Sequence, residues 1–119
     1  MSNKDLEEGT KFQPQFNADG LIPCITTSAK TGKVLMFAWM NEEALSKTID
    51  TGEVHYWSRS RQELWHKGAT SGNIQKVIEM RTDCGQDCIL INVEVQAEKE
   101  TAAIPAAKAA FIGQYLTKT

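Results

Sequence analysis

The sequence lacks any long hydrophobic run, since no apolar segment approaches the roughly 20 residues that a helix needs to cross a bilayer. Its start, MSNKDLEEGT, is polar and acidic and contains no hydrophobic core of a signal peptide. Cysteine is also scarce: the three cysteines are an odd number, and their spacing gives no disulfide framework. These absences predict a cytoplasmic protein that keeps its thiols reduced and does not bind a membrane.

Positive charge is sparse over the whole chain, which has a net charge of −2, but it is concentrated in one stretch. Residues 54–81 contain five cations and two acids, which gives a local charge of +3. A nucleic-acid-binding domain is normally basic over a whole face. The local patch therefore favours a small anionic ligand and argues against DNA or RNA as the partner.

The length of 119 residues and the hydrophobic content of 41% predict a single domain over residues 1–119, with a core modest enough to favour oligomerisation. Residues 1–19 are predicted to form a loosely held N-terminal arm. Residues 98–119 are a tail of different character, in which Pro105 fits the first turn of an Ala-rich amphipathic helix. Such a helix on so small a domain must pack on its own sheet or on a partner.

The segments between these ends predict an α+β fold, a small and mostly antiparallel sheet with one central helix. Strands are predicted at residues 21–28 and 33–40, joined by a turn that contains glycine. The second of them, VLMFAWM, is almost wholly apolar, which predicts burial on both faces. Asn41 is a good N-cap for a helix that is predicted to end near Gly52.

Four further segments follow this helix. Residues 53–58 are predicted to begin a third strand. Residues 58–72 have no clean period and are predicted to be a structured loop with one helical turn at 62–65. Residues 73–82 have strand character, and the alternation of residues 88–96 predicts a half-buried antiparallel strand.

The motif WSRSR combines a tryptophan with two arginines. Alternate residues of an extended chain point the same way, so Trp57, Arg59 and Arg61 are predicted to share a face. An aromatic surface beside two guanidinium groups suits a base or ring together with a phosphate. The alternative is a core tryptophan beside two solvated arginines, since surface arginines are common.

The motif KGATSGN, residues 67–73, combines two glycines with two hydroxyls and an amide. Such a turn can present backbone N–H groups to an anion, although it lacks the spacing of a P-loop. The alternative is a polar connecting loop.

The motif DCGQDC is the third candidate. Asp83 and Asp87, with Cys84 between them, could hold Mg²⁺ through oxygen and Zn²⁺ through sulfur. Cys84 and Cys88 cannot complete a tetrahedral zinc site alone. The alternative is that an aspartate only bonds the backbone of its own turn.

The order of these motifs resembles phosphoribosyl-AMP cyclohydrolase, an enzyme family of histidine biosynthesis, over roughly residues 20–96. The resemblance is most specific at residues 57–61, 64–68, 70–73 and 83–84. It implies an intertwined homodimer of small α+β subunits with shared active sites at the dimer interface. It also implies hydrolysis of the N1–C6 bond of the adenine ring in phosphoribosyl-AMP, by addition of a metal-activated hydroxide, with zinc and magnesium as cofactors.

The resemblance assigns roles to the residues of these motifs. Those implied to bind a purine ribonucleotide and its phosphate are Trp57, Ser58, Arg59, Ser60, Arg61, Trp65, Lys67, Thr70, Ser71 and Asn73. The implied catalytic residues are His66, Asp83, Cys84 and Asp87. The implied ligands are Asp83 and Asp87 for Mg²⁺ and Cys84 for Zn²⁺ or another transition metal, and Cys88 is a candidate metal ligand beside them.

Three departures fall on the catalytic motifs. Gly85 replaces the middle aspartate of the family's Asp-Cys-Asp-x-Asp motif, and Ala69 replaces the glutamate of its Lys-Gly-Glu-Thr-Ser-Gly-Asn loop. The family's C-terminal Cys-His-Thr-Gly…Ser-Cys motif supplies two of three zinc cysteines. It has no counterpart here, because no Cys or His follows Cys88. Of the three zinc cysteines, only Cys84 remains.

These departures leave three interpretations open. In the first, the protein is a paralogue that performs the same or a similar ring hydrolysis with a rebuilt metal site, in which Cys24, Cys88, His55 or His66 replaces the lost ligands. In the second, it is a non-catalytic relative that kept the purine-nucleotide cradle and lost the zinc site. In the third, the purine nucleotide substrate has changed together with the chemistry.

Overall fold

One sheet and one helix account for the regular structure of residues 11–96, which are the residues that the computed structural model describes. The elements are β1 (Ile22–Ser28), β2 (Val34–Met40), α1 (Glu42–Thr51), β3 (His55–Ser58), β4 (Glu63–His66), β5 (Lys76–Thr82) and β6 (Ile89–Glu94). The predicted C-terminal helix and the first half of the predicted arm lie outside the described residues.

The six strands form one sheet in the order β4-β3-β2-β1-β6-β5. The pairings are antiparallel except that of β1 with β6, which is parallel. The predicted α+β fold with a mostly antiparallel sheet and a central helix is therefore confirmed. Within residues 11–96 no helix is long and apolar enough to cross a membrane.

Helix α1 begins and ends as its sequence predicts. Asn41 Oδ1 accepts a hydrogen bond from the Ala44 amide at 2.8 Å, which satisfies one of the unpaired donors of the first turn. Gly52 has a φ of 74°, and its amide donates to the carbonyl of Thr48. Ala44 and Leu45 lie in the same buried cluster as the inward residues of the strands, so the helix packs on one face of the sheet.

Strand β2 is not buried on both faces, contrary to the prediction. Met40 is fully buried, but Val34 is 47% exposed and Phe37 is 57% exposed. Phe37 pairs with Ile25, which in turn pairs with Leu90, so these residues share the outer face of the sheet. Among residues 11–96 no element covers that face at Phe37, and an apolar sequence alone does not reveal whether a face is covered.

The predicted helical turn at 62–65 is also wrong, because residues 63–66 form strand β4. This strand pairs with β3 along its whole length, and Tyr56 lies opposite Trp65 with ring centroids 5.5 Å apart. Cross-strand aromatic pairs stabilise a sheet. A strand of four residues is too short to show a period, so this pairing could not be recognised from local sequence.

The hydroxyl of Tyr56 lies at the centre of a buried polar network. It donates to Gln75 Oε1 at 2.7 Å and lies 2.6 Å from the hydroxyl of Thr26. Gln75 Nε2 in turn donates to the sulfur of Met36 at 3.5 Å. Each polar atom of Tyr56 and Gln75 therefore has a partner, as a buried polar group requires.

Residues 52–54 close the sheet upon itself. The Val54 amide donates to the Gln75 carbonyl at 3.0 Å, and the Val77 amide donates to the Gly52 carbonyl at 2.8 Å. Glu53 forms an isolated bridge with Lys76. These bonds join the start of β3 to the start of β5, although the two strands lie four positions apart, so the sheet must curl.

We expect Tyr56→Phe to lower the free energy of unfolding by about 1–3 kcal/mol, because it leaves a buried acceptor of Gln75 without its donor. Urea denaturation measures the change. Thr27→Val is a matched control, since it removes a half-buried hydroxyl whose shortest hydrogen bond is 3.2 Å; its expected cost is below about 0.5 kcal/mol. Equal losses in the two variants would show that the network adds no stability of its own.

Candidate functional site

The β3–β4 hairpin places the WSRSR motif at a turn. The chain leaves the strand after Ser58, and Gln62 closes the turn with a φ of 52°. Trp57 is half-buried on β3, whereas Arg59 and Arg61 belong to the turn. An extended strand does not place these three side chains on one face, because the strand ends before the arginines. The turn nevertheless brings Arg59 into the same cleft as Trp57, and Arg61 is not among the residues that line it.

Arg59 instead lies against a tryptophan that the sequence did not single out. Its guanidinium carbon is 4.8 Å from the ring centroid of Trp39, close enough for a cation–π interaction. Trp39 pairs with Trp57 across β2 and β3, so two tryptophans and Arg59 form one surface. Trp39 was missed because it lies in an apolar run that was interpreted only as core.

A cleft of about 360 Å³ opens beside this surface. Its lining residues come from the segment before β1, the end of β2 and the β3–β4 hairpin, and they are Asp19, Leu21, Asn41, Trp57, Arg59 and Gln62. An aromatic wall and a guanidinium group in one cleft suit an aromatic ring that carries an anionic group.

The remaining polar residues of the motif hold the turn together. Ser58 Oγ accepts from the Arg61 amide at 3.3 Å and lies 3.5 Å from Ser60 Oγ. The Arg61 guanidinium lies 3.7 Å from a carboxylate oxygen of Glu63, with both side chains well exposed. Such an exposed pair holds Arg61 only weakly, so an anionic ligand can compete for it.

Residues 83–88, the acidic turn, join β5 to β6. Asp83 Oδ1 accepts from the amides of Gly85 and Gln86, each at 3.1 Å, so one carboxylate oxygen holds the turn. A Cβ atom at Gly85 would lie 3.4 Å from Asp87 Oδ1 and 3.6 Å from Asp83 Oδ1. The two carboxylates therefore flank the position at which the family's middle aspartate would stand.

The N-terminal arm anchors the acidic turn through the buried side chain of Gln86. Gln86 Oε1 accepts from the Gln13 amide at 2.6 Å, and Gln86 Nε2 donates to the Lys11 carbonyl at 3.0 Å. The Gln15 amide donates to the Gln86 carbonyl at 2.7 Å. These bonds leave Asp83, Cys84 and Asp87 on the exposed side of the turn.

Cys24 and Cys88, unlike Cys84, are poor sources of a thiolate. Burial raises the pKa of the Cys24 thiol to about 12. Burial also raises the pKa of Cys88, and the negative charges of Asp83 and Asp87 raise it further. Cys84 is the exposed thiol of the three.

The described residues fit magnesium better than zinc. Mg²⁺ is commonly held by one or two carboxylates and several waters, which Asp83 and Asp87 could provide. A zinc site needs three or four nitrogen and sulfur ligands close together. Among residues 11–96 no three His, Cys, Asp or Glu side chains come close enough to hold one ion. The described residues of the chain therefore do not form a zinc site by themselves.

The motif KGATSGN forms a compact loop, called here the glycine loop (residues 67–73). The Ala69 amide donates to the His66 carbonyl at 3.2 Å, and the Gly72 amide donates to the Gly68 carbonyl at 2.8 Å. The ammonium of Lys67 lies 5.3 Å from the ring centroid of Trp65.

The hydroxyl residues Thr70 and Ser71 of the glycine loop are exposed. The Asn73 amide donates to Ser71 Oγ at 3.3 Å. The loop therefore directs a cation and two hydroxyl side chains outward, an arrangement that suits an anion.

The glycine loop and the acidic turn lie at opposite ends of β5. The loop precedes the strand and the turn follows it, and the seven residues of β5 separate them by roughly 20 Å. Trp57 lies on the same side as the acidic turn, as the strand pairings show. Its partner Trp39 pairs with Pro23 at the start of β1. The next residue, Cys24, pairs with Ile89 at the start of β6, directly after the turn. The predicted site residues of the chain thus form two separate groups, one at the glycine loop and one at the acidic turn.

Gly68→Ala should destabilise the protein more than Gly72→Ala. Both glycines have a positive φ, but of the two only Gly68 is so placed that a Cβ atom would collide with backbone, at the carbonyl of Asn73. The expected losses in unfolding free energy are more than about 2 kcal/mol for Gly68→Ala and about 1 kcal/mol for Gly72→Ala. Urea denaturation compares the two, and equal losses would contradict the close approach of the loop to Gly68.

Comparison with known proteins agrees with this geometry. A family model described as phosphoribosyl-AMP cyclohydrolase matches residues 36–102. A protein of that name from Nitrobacter winogradskyi is 58% identical over 95 residues, which cover 80% of this chain and 66% of the relative. Another, from Brucella canis, is 55% identical over 98 residues, which cover 82% of this chain and 70% of the relative. The chain spans about two thirds of the length of these relatives, and it belongs to the phosphoribosyl-AMP cyclohydrolase family.

Proposed function

We propose that the chain is a hydrolase of histidine biosynthesis that opens the purine ring of phosphoribosyl-AMP, or of a related purine ribonucleotide, at the N1–C6 bond. The observation that carries this proposal is the cleft of Trp57 and Arg59, which lies at the same end of β1 as the acidic turn. An aromatic surface can position the base, and a nearby carboxylate can take the proton of the attacking water, which are two of the functions that a ring hydrolysis uses. The family membership of the chain supports the same conclusion.

The site residues divide into those that bind the nucleotide and those that act on water. Trp57 stacks the purine, while Arg59 and Arg61 bind phosphate through their guanidinium groups. Asp87 accepts neither of the amide hydrogen bonds that hold Asp83 in the turn, so it keeps an oxygen that can accept a proton from the attacking water while it also helps to hold Mg²⁺. The water oxygen bonds to C6, the C6–N1 bond breaks, and N1 takes up a proton.

The metal chemistry of the proposal rests on the acidic turn. Asp83 and Asp87 hold Mg²⁺, which when bound supplies positive charge that stabilises developing negative charge. Cys84 is the thiol available to a transition metal. No step is assigned to zinc, because the described residues do not form its site.

We also propose that the working unit is a cytoplasmic homodimer whose active sites combine residues of both subunits. The glycine loop of one subunit, with Trp65, Lys67, Thr70, Ser71 and Asn73, would meet the acidic turn of the other. Two observations support this arrangement. The two groups lie at opposite ends of β5, and the outer face of the sheet exposes Phe37 at 57% and Leu90 at 38%. A second copy would cover that apolar face and complete the site.

Mixing two inactive variants tests both the activity and the shared site. Asp83→Asn keeps the oxygen that holds the acidic turn, and Lys67→Met keeps the stem that packs on Trp65. Each variant alone is expected to lose most of its turnover of phosphoribosyl-AMP. If they are refolded together, half of the dimers should be mixed with one intact site, which restores about a quarter of the wild-type rate.

The control for this experiment is a mixture of Asp83→Asn and Asp87→Asn, whose defects lie in the same turn. No recovery is expected there, because every site in a mixed dimer retains one defect. Equal recovery in both mixtures, or none in either, would contradict a site shared between subunits.

The second candidate function is a non-catalytic purine-nucleotide-binding protein. The observation that favours it is the same absence of a three-ligand cluster among residues 11–96, together with the lack of Cys and His after Cys88. It predicts binding of the nucleotide without turnover, even when Zn²⁺ and Mg²⁺ are added. Turnover by the wild-type protein with either metal would exclude it.

Gly85→Asp is expected to raise the affinity for Mg²⁺ by roughly tenfold, because it adds a third negative charge between two carboxylates. Gly85 does not adopt the left-handed conformation, so the backbone accepts a side chain. Gly85→Asn is the matched control, with the same shape and no charge. Calorimetric titration measures both, and similar affinities in the two variants would show that Mg²⁺ does not bind at the acidic turn.

A further inference from the structure

Two histidines and one glutamate form a cluster beneath the glycine loop that the proposed chemistry does not use. His55 on β3 lies directly opposite His66 on β4, and their rings stack with centroids 4.3 Å apart and planes 10° from parallel. Glu53 contacts both. Its carboxylate oxygen lies 2.9 Å from His66 Nε2, and its backbone carbonyl lies 2.8 Å from His55 Nδ1.

The contacts of Glu53 determine which ring atoms carry hydrogen. A carbonyl oxygen can only accept, so His55 Nδ1 must donate to Glu53. The carboxylate likewise accepts from His66 Nε2. Both rings are thereby fixed in orientation by one residue.

The same segment holds both ends of the glycine loop. On the entry side, the Lys67 amide donates to the Val54 carbonyl at 3.1 Å, next to the Glu53–His66 contact. On the exit side, the Val54 amide donates to the Gln75 carbonyl at 3.0 Å. Glu53 is therefore adjacent to the residue whose backbone joins the entry of the loop to its exit, and its carboxylate contacts His66 at the entry.

We propose that Glu53 is a positioning residue, which acts through the stacked pair of His66 and His55 to hold the glycine loop in the conformation that binds the anionic group of the substrate. The proposal rests on the function proposed above only for the identity of that anion. It changes the predicted role of His66, from a catalytic residue to a residue that supports the loop.

The cluster also makes the support sensitive to acid. Burial lowers the pKa of His55 below its ordinary value, and the neighbouring His66 and Lys47 lower it further. The unfolded chain therefore binds a proton at a pH at which folded His55 does not. This contribution to stability is complete above the ordinary pKa of 6.5 and is lost as the pH falls through the lowered one. Lys47 on α1, Glu53 and His66 are the charged or titratable groups that act on His55.

Two readouts, one independent of activity, test the proposal with Glu53→Ala and the conservative Glu53→Gln. Hydrogen exchange at the Lys67 and Ala69 amides should accelerate roughly tenfold in Glu53→Ala, about the loss of one hydrogen bond. Exchange in β6 should not change. Glu53→Gln, which keeps an oxygen acceptor, should restore most of the protection.

Steady-state kinetics provides the second readout. Glu53→Ala should raise KM roughly tenfold and leave kcat within about twofold, because a displaced loop weakens binding without touching the reacting atoms. A merely structural loss would instead lower kcat by reducing the folded fraction. Glu79→Ala, which breaks an exposed pair with Arg81, is the control and should change neither value.

The outcomes separate this proposal from the proposed function. If the wild type shows no turnover but Glu53→Ala loosens only the loop amides, the positioning role stands and the hydrolase assignment fails. Unchanged exchange at Lys67 and Ala69, or equal acceleration in β6, would overturn the positioning role whatever the activity. Replacing His55 by Phe should also reduce the loss of stability just below pH 6.5, and an unchanged acid profile would exclude His55 as a contributor.

Discussion

The hydrogen bond from the Tyr56 hydroxyl to Gln75 joins two strands that the order of the sheet keeps far apart. Gln75 also accepts from Val54 through its backbone, so the start of β5 is held by one side-chain contact and one main-chain contact. The curl of the sheet follows from these bonds, and so does the position of the glycine loop, whose exit is the same glutamine. A buried amide side chain carries a free-energy cost at such a junction between strands, because every one of its polar atoms needs a hydrogen-bond partner. It also makes the junction specific, since an apolar residue there would tolerate other registers.

The candidate site residues lie at two separate places in the molecule rather than at one. Cations and hydroxyls meet at one end of β5, and carboxylates with an exposed thiol meet at the other. A tryptophan surface extends from the second group across the outer face of the sheet. Lys67 and the hydroxyls of the glycine loop are thereby kept away from the carboxylates of the acidic turn, whereas Arg59 lies on the same side as those carboxylates. In the proposed homodimer, a second subunit would bring the two sets together around a ligand that contacts both.

The local sequence was sufficient to predict the structure wherever a residue contacts residues close to it in the chain. Asn41 and Gly52 determine the helix ends through contacts within four residues, and both were predicted correctly. The alternation of β6 was also predicted, because its inner and outer faces differ in polarity. Contacts between distant segments could not be predicted in this way. Strand β4, the exposure of Phe37 and the packing of Arg59 on Trp39 all depend on which strand lies alongside, and family motifs identify residues without stating which ones meet in a single subunit.

The anchoring of the acidic turn by the arm has a consequence for the order of folding. The bond between Gln13 and Gln86 joins residues 73 positions apart, one of the longest chain closures among the described residues. Contacts of such separation form late, because the chain must lose the entropy of a long loop before it gains them. The carboxylates of the turn therefore acquire their final spacing only after the strands between have assembled. Because the glycine loop precedes these residues in the sequence, a chain still emerging from the ribosome contains the loop well before the acidic turn can be completed.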